Sequence, residues 1–216
     1  MAKLPSMKTD NPVFTFMGKL GDVVALNVIW LLCCLPVITI GASTTALFYT
    51  ARKIAAGEEY RVWHDFFHSF QVNWRQAAAL WLVLLAWLAV GSANLWIGLH
   101  TDSGVGNLCR GVGGVLLLVW LMAEGFAFPL LARYDYRLAR LVLDSLRLAV
   151  RKVYITVIHV LLTVWLPALL FIDPNLFMFC LPLWLLAGGA ASAVAVSGLL
   201  LPVQKEIETA RGKGGD

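Results

Sequence analysis

The stretch VYITVIHVLLTVWLPALLFI, Val153 to Ile172, runs for twenty residues without a lysine, arginine, aspartate or glutamate. An α-helix of about 20 apolar residues spans the hydrocarbon of a bilayer and satisfies its own backbone hydrogen bonds where no water can. Four other stretches share this character: Val23 to Thr45, Ala77 to Leu99, Leu108 to Leu131 and Leu176 to Val203. Pro36 and Gly41 interrupt the first of them, and Pro182 interrupts the last.

Composition points the same way. The chain is 60% hydrophobic and 14% charged, with a mean hydropathy of +0.77, whereas a soluble domain carries roughly a quarter charged residues. The expected fold is all-α, a polytopic membrane helix bundle of about five transmembrane helices with two amphipathic cytoplasmic interfacial helices. Residues 1–216 read as one integral membrane domain, with 1–21 as an N-terminal segment and 204–216 as a flexible cytoplasmic tail. The opening is polar and the apolar run after it is long, so Val23 to Thr45 reads as a retained anchor and not a cleaved signal. Cys33, Cys34, Cys109 and Cys180 all lie in or beside apolar spans and read as small buried hydrophobes, not as metal ligands or a disulfide framework.

Basic residues set the orientation, because lysine and arginine are retained on the cytoplasmic side. Arg133, Arg137, Arg140, Arg147, Arg151 and Lys152 crowd one gap, Arg52, Lys53, Arg61 and Arg75 another, and Lys205, Arg211 and Lys213 the C-terminus. The gaps at His100 to Asn107 and Asp173 to Asn175 hold neither lysine nor arginine, and Arg110 follows the first of these. The protein is therefore expected in the cytoplasmic (inner) membrane, multi-pass, with its C-terminus inside. Five full crossings then place the N-terminus outside, despite Lys3, Lys8 and Lys19. A full first crossing is the expectation. The alternative makes Val23 to Cys34 and Ala42 to Ala51 two half-crossings joined by a turn at Leu35 to Gly41, which returns both ends to the cytoplasm.

A faint internal echo pairs Ser69 with Ser145, Phe70 with Leu146 and Arg75 with Arg151, each just before a span. It suggests two copies of one unit pointing the same way, as in some transporters. In the first copy Trp63, Phe66, Phe67, Phe70 and Trp74 recur at helical spacing and predict one aromatic face lying among the acyl chains. In the second copy Arg133, Arg137, Arg140, Asp144, Arg147 and Arg151 form a polar stripe, with Leu138, Leu141, Val142 and Ala149 off it. Both helices are candidate surfaces for anionic lipid or a protein partner, each arginine contributing about 1 kcal/mol near an anionic leaflet.

Ionisable groups inside a span are costly and worth attention. Glu124 is the single acid deep in one, and His159 the single deep histidine. Measured from Arg133 and Lys152, they lie about 13 and 10 Å in at 1.5 Å per residue, so they are expected at matching depth, facing one another or sharing a polar cavity. Thr39 and Ser43, beside Gly41, are candidates for the same polar path, although such hydroxyls also bond their own helix backbone. Gly188, Gly189, Ala193 and Ser197 predict close helix packing. His64 and His68 stand one turn apart but lack the further ligands that zinc requires. No catalytic residue, cofactor, metal or nucleic-acid partner is expected.

The run LNVIWLLCCLPVITIGASTTALFYTARKIAAGEE, Leu26 to Glu59, followed by DFFHSFQVNWRQA and later by FAFPLLARYDY, resembles the YesL-like family of bacterial integral membrane proteins. The resemblance extends from about Gly18 to Pro202, and LPVITIGAS is its most specific part. It implies a small multi-spanning membrane protein without assigned activity, associated with carbohydrate uptake. The expected role is thus a non-enzymatic accessory to oligosaccharide uptake, with membrane lipids and transporter permease subunits as partners. The alternative is a small-molecule transporter with a polar intramembrane pathway, and a membrane-embedded enzyme ranks third.

Overall fold

The computed structural model describes residues 12–101, 103–134 and 137–212. Within them the chain forms helices α1 (Pro12–Cys33), α2 (Ile40–Ala56), α3 (Val62–Leu99), α4 (Gly104–Leu131), α5 (Leu138–Arg151), α6 (Val153–Ile172), α7 (Pro174–Leu183) and α8 (Gly189–Gly212). A π-helical turn, Trp184–Gly188, joins α7 to α8, and there is no strand among the described residues. Four helical stretches are long and apolar enough to cross a membrane: Val62–His100, Gly104–Leu131, Val153–Ile172 and Pro174–Lys205. The fold is a multi-pass membrane helix bundle. Helix α8 continues through part of the expected flexible tail, as far as Gly212. Residues 1–11 and 213–216 lie outside the described residues.

The first expected span is not one crossing. Pro36 has an extended backbone and no N–H to donate, so α1 ends at Cys33 and the chain turns through a short 3-10 segment, Val37–Thr39, before α2 begins. The Thr39 hydroxyl lies 2.7 Å from the carbonyls of both Cys33 and Pro36, and the Ser43 hydroxyl donates to Trp30 O at 3.0 Å. Hydroxyls at the start of the returning arm thus add donors to carbonyls at the end of α1 and in the turn, of which Trp30 O also accepts from Cys34 N. At the open end of the hairpin, Tyr60 Oη donates to Asp22 Oδ2 at 2.7 Å, so the two arms leave at one level. From Arg52 back to Ile40 is roughly 18 Å along α2, well short of the about 30 Å of hydrocarbon. The single first crossing is therefore corrected to a hairpin of two antiparallel helices joined by a turn.

The turn itself is exposed at Leu35, Val37 and Ile38, and it is the returning arm that the protein encloses. Helix α2 is buried along most of its length, at Gly41 to Phe48 and at Thr50, Ala51 and Ile54. It packs against α1, α3, α4 and α8. Gly41 is what lets α3 approach: a Cβ there would meet the Ala77 carbonyl and the Trp81 side chain. Gly57, at the end of α2, has φ +67°, a left-handed backbone that glycine adopts without steric cost.

Asn27, fully buried on α1, ties the hairpin to the last crossing. Its Nδ2 donates to Leu185 O at 2.7 Å, and its Oδ1 accepts from Ala190 N at 2.8 Å. These are the groups that the π turn between α7 and α8 would otherwise leave without partners. Gly189 makes room, since a Cβ there would run into the Trp30 ring and the Asn27 carboxamide.

The other connections are short and capped. Asp173 Oδ1 accepts from the backbone of Asn175 and Leu176, and Pro174 opens α7, so α6 and α7 are joined through one residue. The Ser103 hydroxyl accepts from Gly106 N at the start of α4. Replacing Asn27 by leucine keeps the volume but strands Leu185 O and Ala190 N. The expected loss is about 1–3 kcal/mol of stability, seen as a lower melting temperature in detergent, while Asn94→Leu, half-buried and bonded only within α3 to Val90 O among the described contacts, lowers the melt less.

Candidate functional site

Three sets of residues carry the functional possibilities: a pair inside the bundle, and two amphipathic surfaces at its basic end. Glu124 on α4 and His159 on α6 meet inside the bundle, with Oε2 and Nε2 3.1 Å apart. Their side chains are 19% and 8% exposed, so the pair is largely withdrawn from its surroundings. Gly125 creates the seat, because a Cβ there would collide with the imidazole. Each group gives the other a hydrogen-bond partner, which limits the cost of holding two polar side chains within the bundle. Thr39 and Ser43 do not join it: their hydroxyls cap the end of α1 within the hairpin.

Helix α3 runs unbroken for 38 residues, Val62–Leu99, about 57 Å, which exceeds the about 40–45 Å of a bilayer including its headgroups. Its first turns therefore extend the crossing instead of forming a separate surface helix. The predicted single aromatic face is also corrected. Phe66 is fully buried and Phe70 half-buried, whereas Trp63, Phe67 and Trp74 are exposed. The stripe straddles the edge of the buried sector that Val62, Asp65, Phe66 and Ser69 form against the bundle.

Helix α5 divides into three sectors. Leu141, Ser145 and Ala149 are buried where α5 packs on α4. Leu143 and Val150 are exposed and apolar, and Arg137, Arg140, Arg147 and Arg151 are exposed and charged. In the register that pairs Ser69 with Ser145, the start of α3 has the same layout. Both serines are buried, Phe67 and Trp74 match Leu143 and Val150, and His64, Gln71 and Arg75 match Arg140, Arg147 and Arg151. A helix with one side on protein, one apolar and one charged fits the boundary between bundle, lipid and water. The two copies differ in one respect: α3 continues straight, whereas the chain bends at Lys152, where the Thr156 hydroxyl donates to Ala149 O.

The basic end is bound together by charge pairs. Arg52 holds both oxygens of Glu58, at 2.8 and 3.0 Å, and Lys53 Nζ lies 3.1 Å from Asp65 Oδ1. The Arg52 guanidinium holds the Glu58 carboxyl below the usual carboxylate range against an opposing effect of burial, with Arg52, Arg133 and Lys53 adding charge attraction. Burial, and then the bond to Asp22, pushes the Tyr60 phenol up to about 12, so it remains a donor at neutral pH. At the opposite end Arg110 serves the backbone: its Nε donates to Gly98 O near the end of α3, at 2.6 Å. His64 and His68 stack with ring centroids 6.1 Å apart, and no three metal-ligating side chains cluster among the described residues.

Sequence reasoning missed Asn27 and the Asp22–Tyr60 bond. A lone asparagine inside an apolar run was the available signal for the first; the second joins residues 38 positions apart and left none. For the interior pair, a double-mutant cycle of Glu124→Gln and His159→Phe is expected to give a coupling of about 0.6–1.7 kcal/mol, the range of polar side-chain pairs between membrane helices. Reversible unfolding in mixed micelles measures it, and additive effects would mean that the two groups do not interact.

Residues 23–95 match the model of a protein family of unknown function, DUF624. The matched segment holds the hairpin from Val23 onward and most of α3. No curated protein and no solved structure matches the chain. By these comparisons, the hairpin and the helix that follows it are the part of the chain that is similar to a described family, itself one of unknown function.

Proposed function

We propose that this chain is a non-enzymatic accessory protein of the bacterial cytoplasmic membrane, with both termini inside, that supports oligosaccharide uptake by docking a permease subunit along α5. The observation that carries this reading is the sector of Arg137, Arg140, Arg147 and Arg151, exposed beside an equally exposed apolar sector. A partner at the inner membrane surface meets both. The orientation follows from charge. With the hairpin returning to its own side, every described lysine and arginine except Arg110 falls toward one end of the bundle or on the helices leading to it, as retention of basic segments in the cytoplasm requires. The carbohydrate part rests on the resemblance to the YesL-like family.

A second reading, small-molecule transport, draws on one observation: Glu124 and His159 form a titratable pair inside the bundle, where such groups commonly mark a substrate or proton path.

Affinity purification from native membranes separates the two. A permease subunit should be recovered with the wild-type chain, and replacing Arg137, Arg140, Arg147 and Arg151 together by glutamine should lower its recovery severalfold while the melting temperature stays within a few degrees. Substrate flux through proteoliposomes that contain this chain alone would overturn the accessory role, and loss of that flux in Glu124→Gln would support transport.

A further inference from the structure

We propose that the cavity between α1 and the start of α3 binds a phosphoethanolamine group, a phosphate and a primary ammonium joined by a short linker. The cavity, of about 620 Å³, is lined by Asp22 and Ala25 of α1 and by Tyr60, Arg61, Trp63 and His64, where the connection from α2 enters α3. One carboxylate, one guanidinium and one indole thus border a single space. Opposite charges that do not pair with each other suit a zwitterion. The guanidinium takes phosphate through parallel N–H donors, and a carboxylate beside an aromatic face takes an ammonium.

Neither charge is used up within the protein. Asp22 Oδ2 accepts from Tyr60 Oη at 2.7 Å, a bond to a neutral donor that fixes the carboxylate and leaves Oδ1 open. Among the described residues the Arg61 guanidinium makes no hydrogen bond or ion pair; its backbone N–H donates to Asp65 Oδ2 at 3.0 Å. Asp65 also lies 3.1 Å from Lys53 Nζ, so it belongs to the construction of the helix start and not to the ligand. Trp63 is 62% exposed. A neighbouring cavity shares Tyr60, Arg61 and His64 and adds Glu59, a second carboxylate that disfavours a ligand carrying negative charge alone.

The height of the cavity matches a lipid headgroup. Its two hydrogen bonds set Asn27 level with Leu185 and Ala190, about 17–24 Å along the last crossing from Pro174 at 1.5 Å per residue. Asp22 lies about 7 Å nearer the basic end, which brings it to the limit of the about 30 Å of hydrocarbon. Tryptophan favours that boundary. A soluble phosphoethanolamine compound presents the same two groups from the aqueous side.

The proposal is independent of the accessory role and of the α5 surface. It is tested on the purified full-length chain in neutral detergent, with native mass spectrometry and melting temperature as readouts. The probes are phosphatidylethanolamine, phosphatidylcholine, phosphatidylglycerol and O-phosphoethanolamine. Phosphatidylethanolamine is expected to bind about two- to fivefold tighter than phosphatidylcholine, which has no N–H to give Asp22, and than phosphatidylglycerol, which has no cation. Binding of that lipid alone assigns the site to a headgroup, and binding of O-phosphoethanolamine assigns it to a soluble ligand. Arg61→Gln should weaken binding about two- to fivefold. Asp22→Asn keeps an acceptor for Tyr60 and should erase the preference over phosphatidylglycerol. Arg61 and Trp63 are exposed, so Arg61→Gln and Trp63→Leu should weaken binding without lowering the melting temperature of the ligand-free chain, which keeps the test readable if Asp22→Asn loosens the hairpin. If phosphatidylethanolamine binds no tighter than the other two lipids and O-phosphoethanolamine does not bind, or if Arg61→Gln and Trp63→Leu leave binding unchanged, the cavity is a solvated cleft and the proposal falls.

Discussion

In hydrocarbon an unpaired backbone carbonyl or amide has no water to turn to, and this structure meets that constraint at the π turn of its last crossing with one side chain. Asn27 inserts its carboxamide between Leu185 O and Ala190 N, donating to one and accepting from the other. The π turn in the last crossing and the hairpin that starts the bundle are therefore stabilised by the same contact. Without it, the last crossing would carry two unsatisfied groups and the hairpin would lose a polar anchor. The Trp30 and Trp184 rings, edge to face with centroids 6.2 Å apart, close the apolar side of this joint.

The hairpin also explains the distribution of charge. A single full crossing would divide the basic segments between two faces, whereas a helix pair that returns to its own side gathers them toward one. Arg110, the described cation at the opposite end, is committed to the α3 terminus through Gly98 O.

Two helices at the basic end, the start of α3 and all of α5, carry the same division into buried, apolar and polar sides around a buried serine. Shared register over several turns is stronger grounds for an internal duplication than the few identities, because it holds at positions where the residues themselves differ. The copies have diverged in character: the first carries histidines and aromatics on its outer sides, and the second carries arginines and aliphatics.

Much of the fold was legible in the sequence because bilayer thickness translates directly into the length of an apolar run, which places the crossings at α3, α4, α6 and α7–α8. The depth of Glu124 and of His159 was legible for the same reason, since a helix converts residue number into distance. What depended on neighbours was not. Pro36 marks a break in a helix but not whether the chain passes on or turns back; that was decided by the hydroxyls of Thr39 and Ser43 and by the protein packed around α2. Hydrophobic spacing located the aromatic residues of α3, but packing against the bundle chose Phe66 for the interior and left Trp63 outside. The sequence by itself determined the solvent and the depth of each group. Tertiary structure decided which groups face one another, because rotation about a helix axis is set by the contacts of its neighbours and not by its own residues.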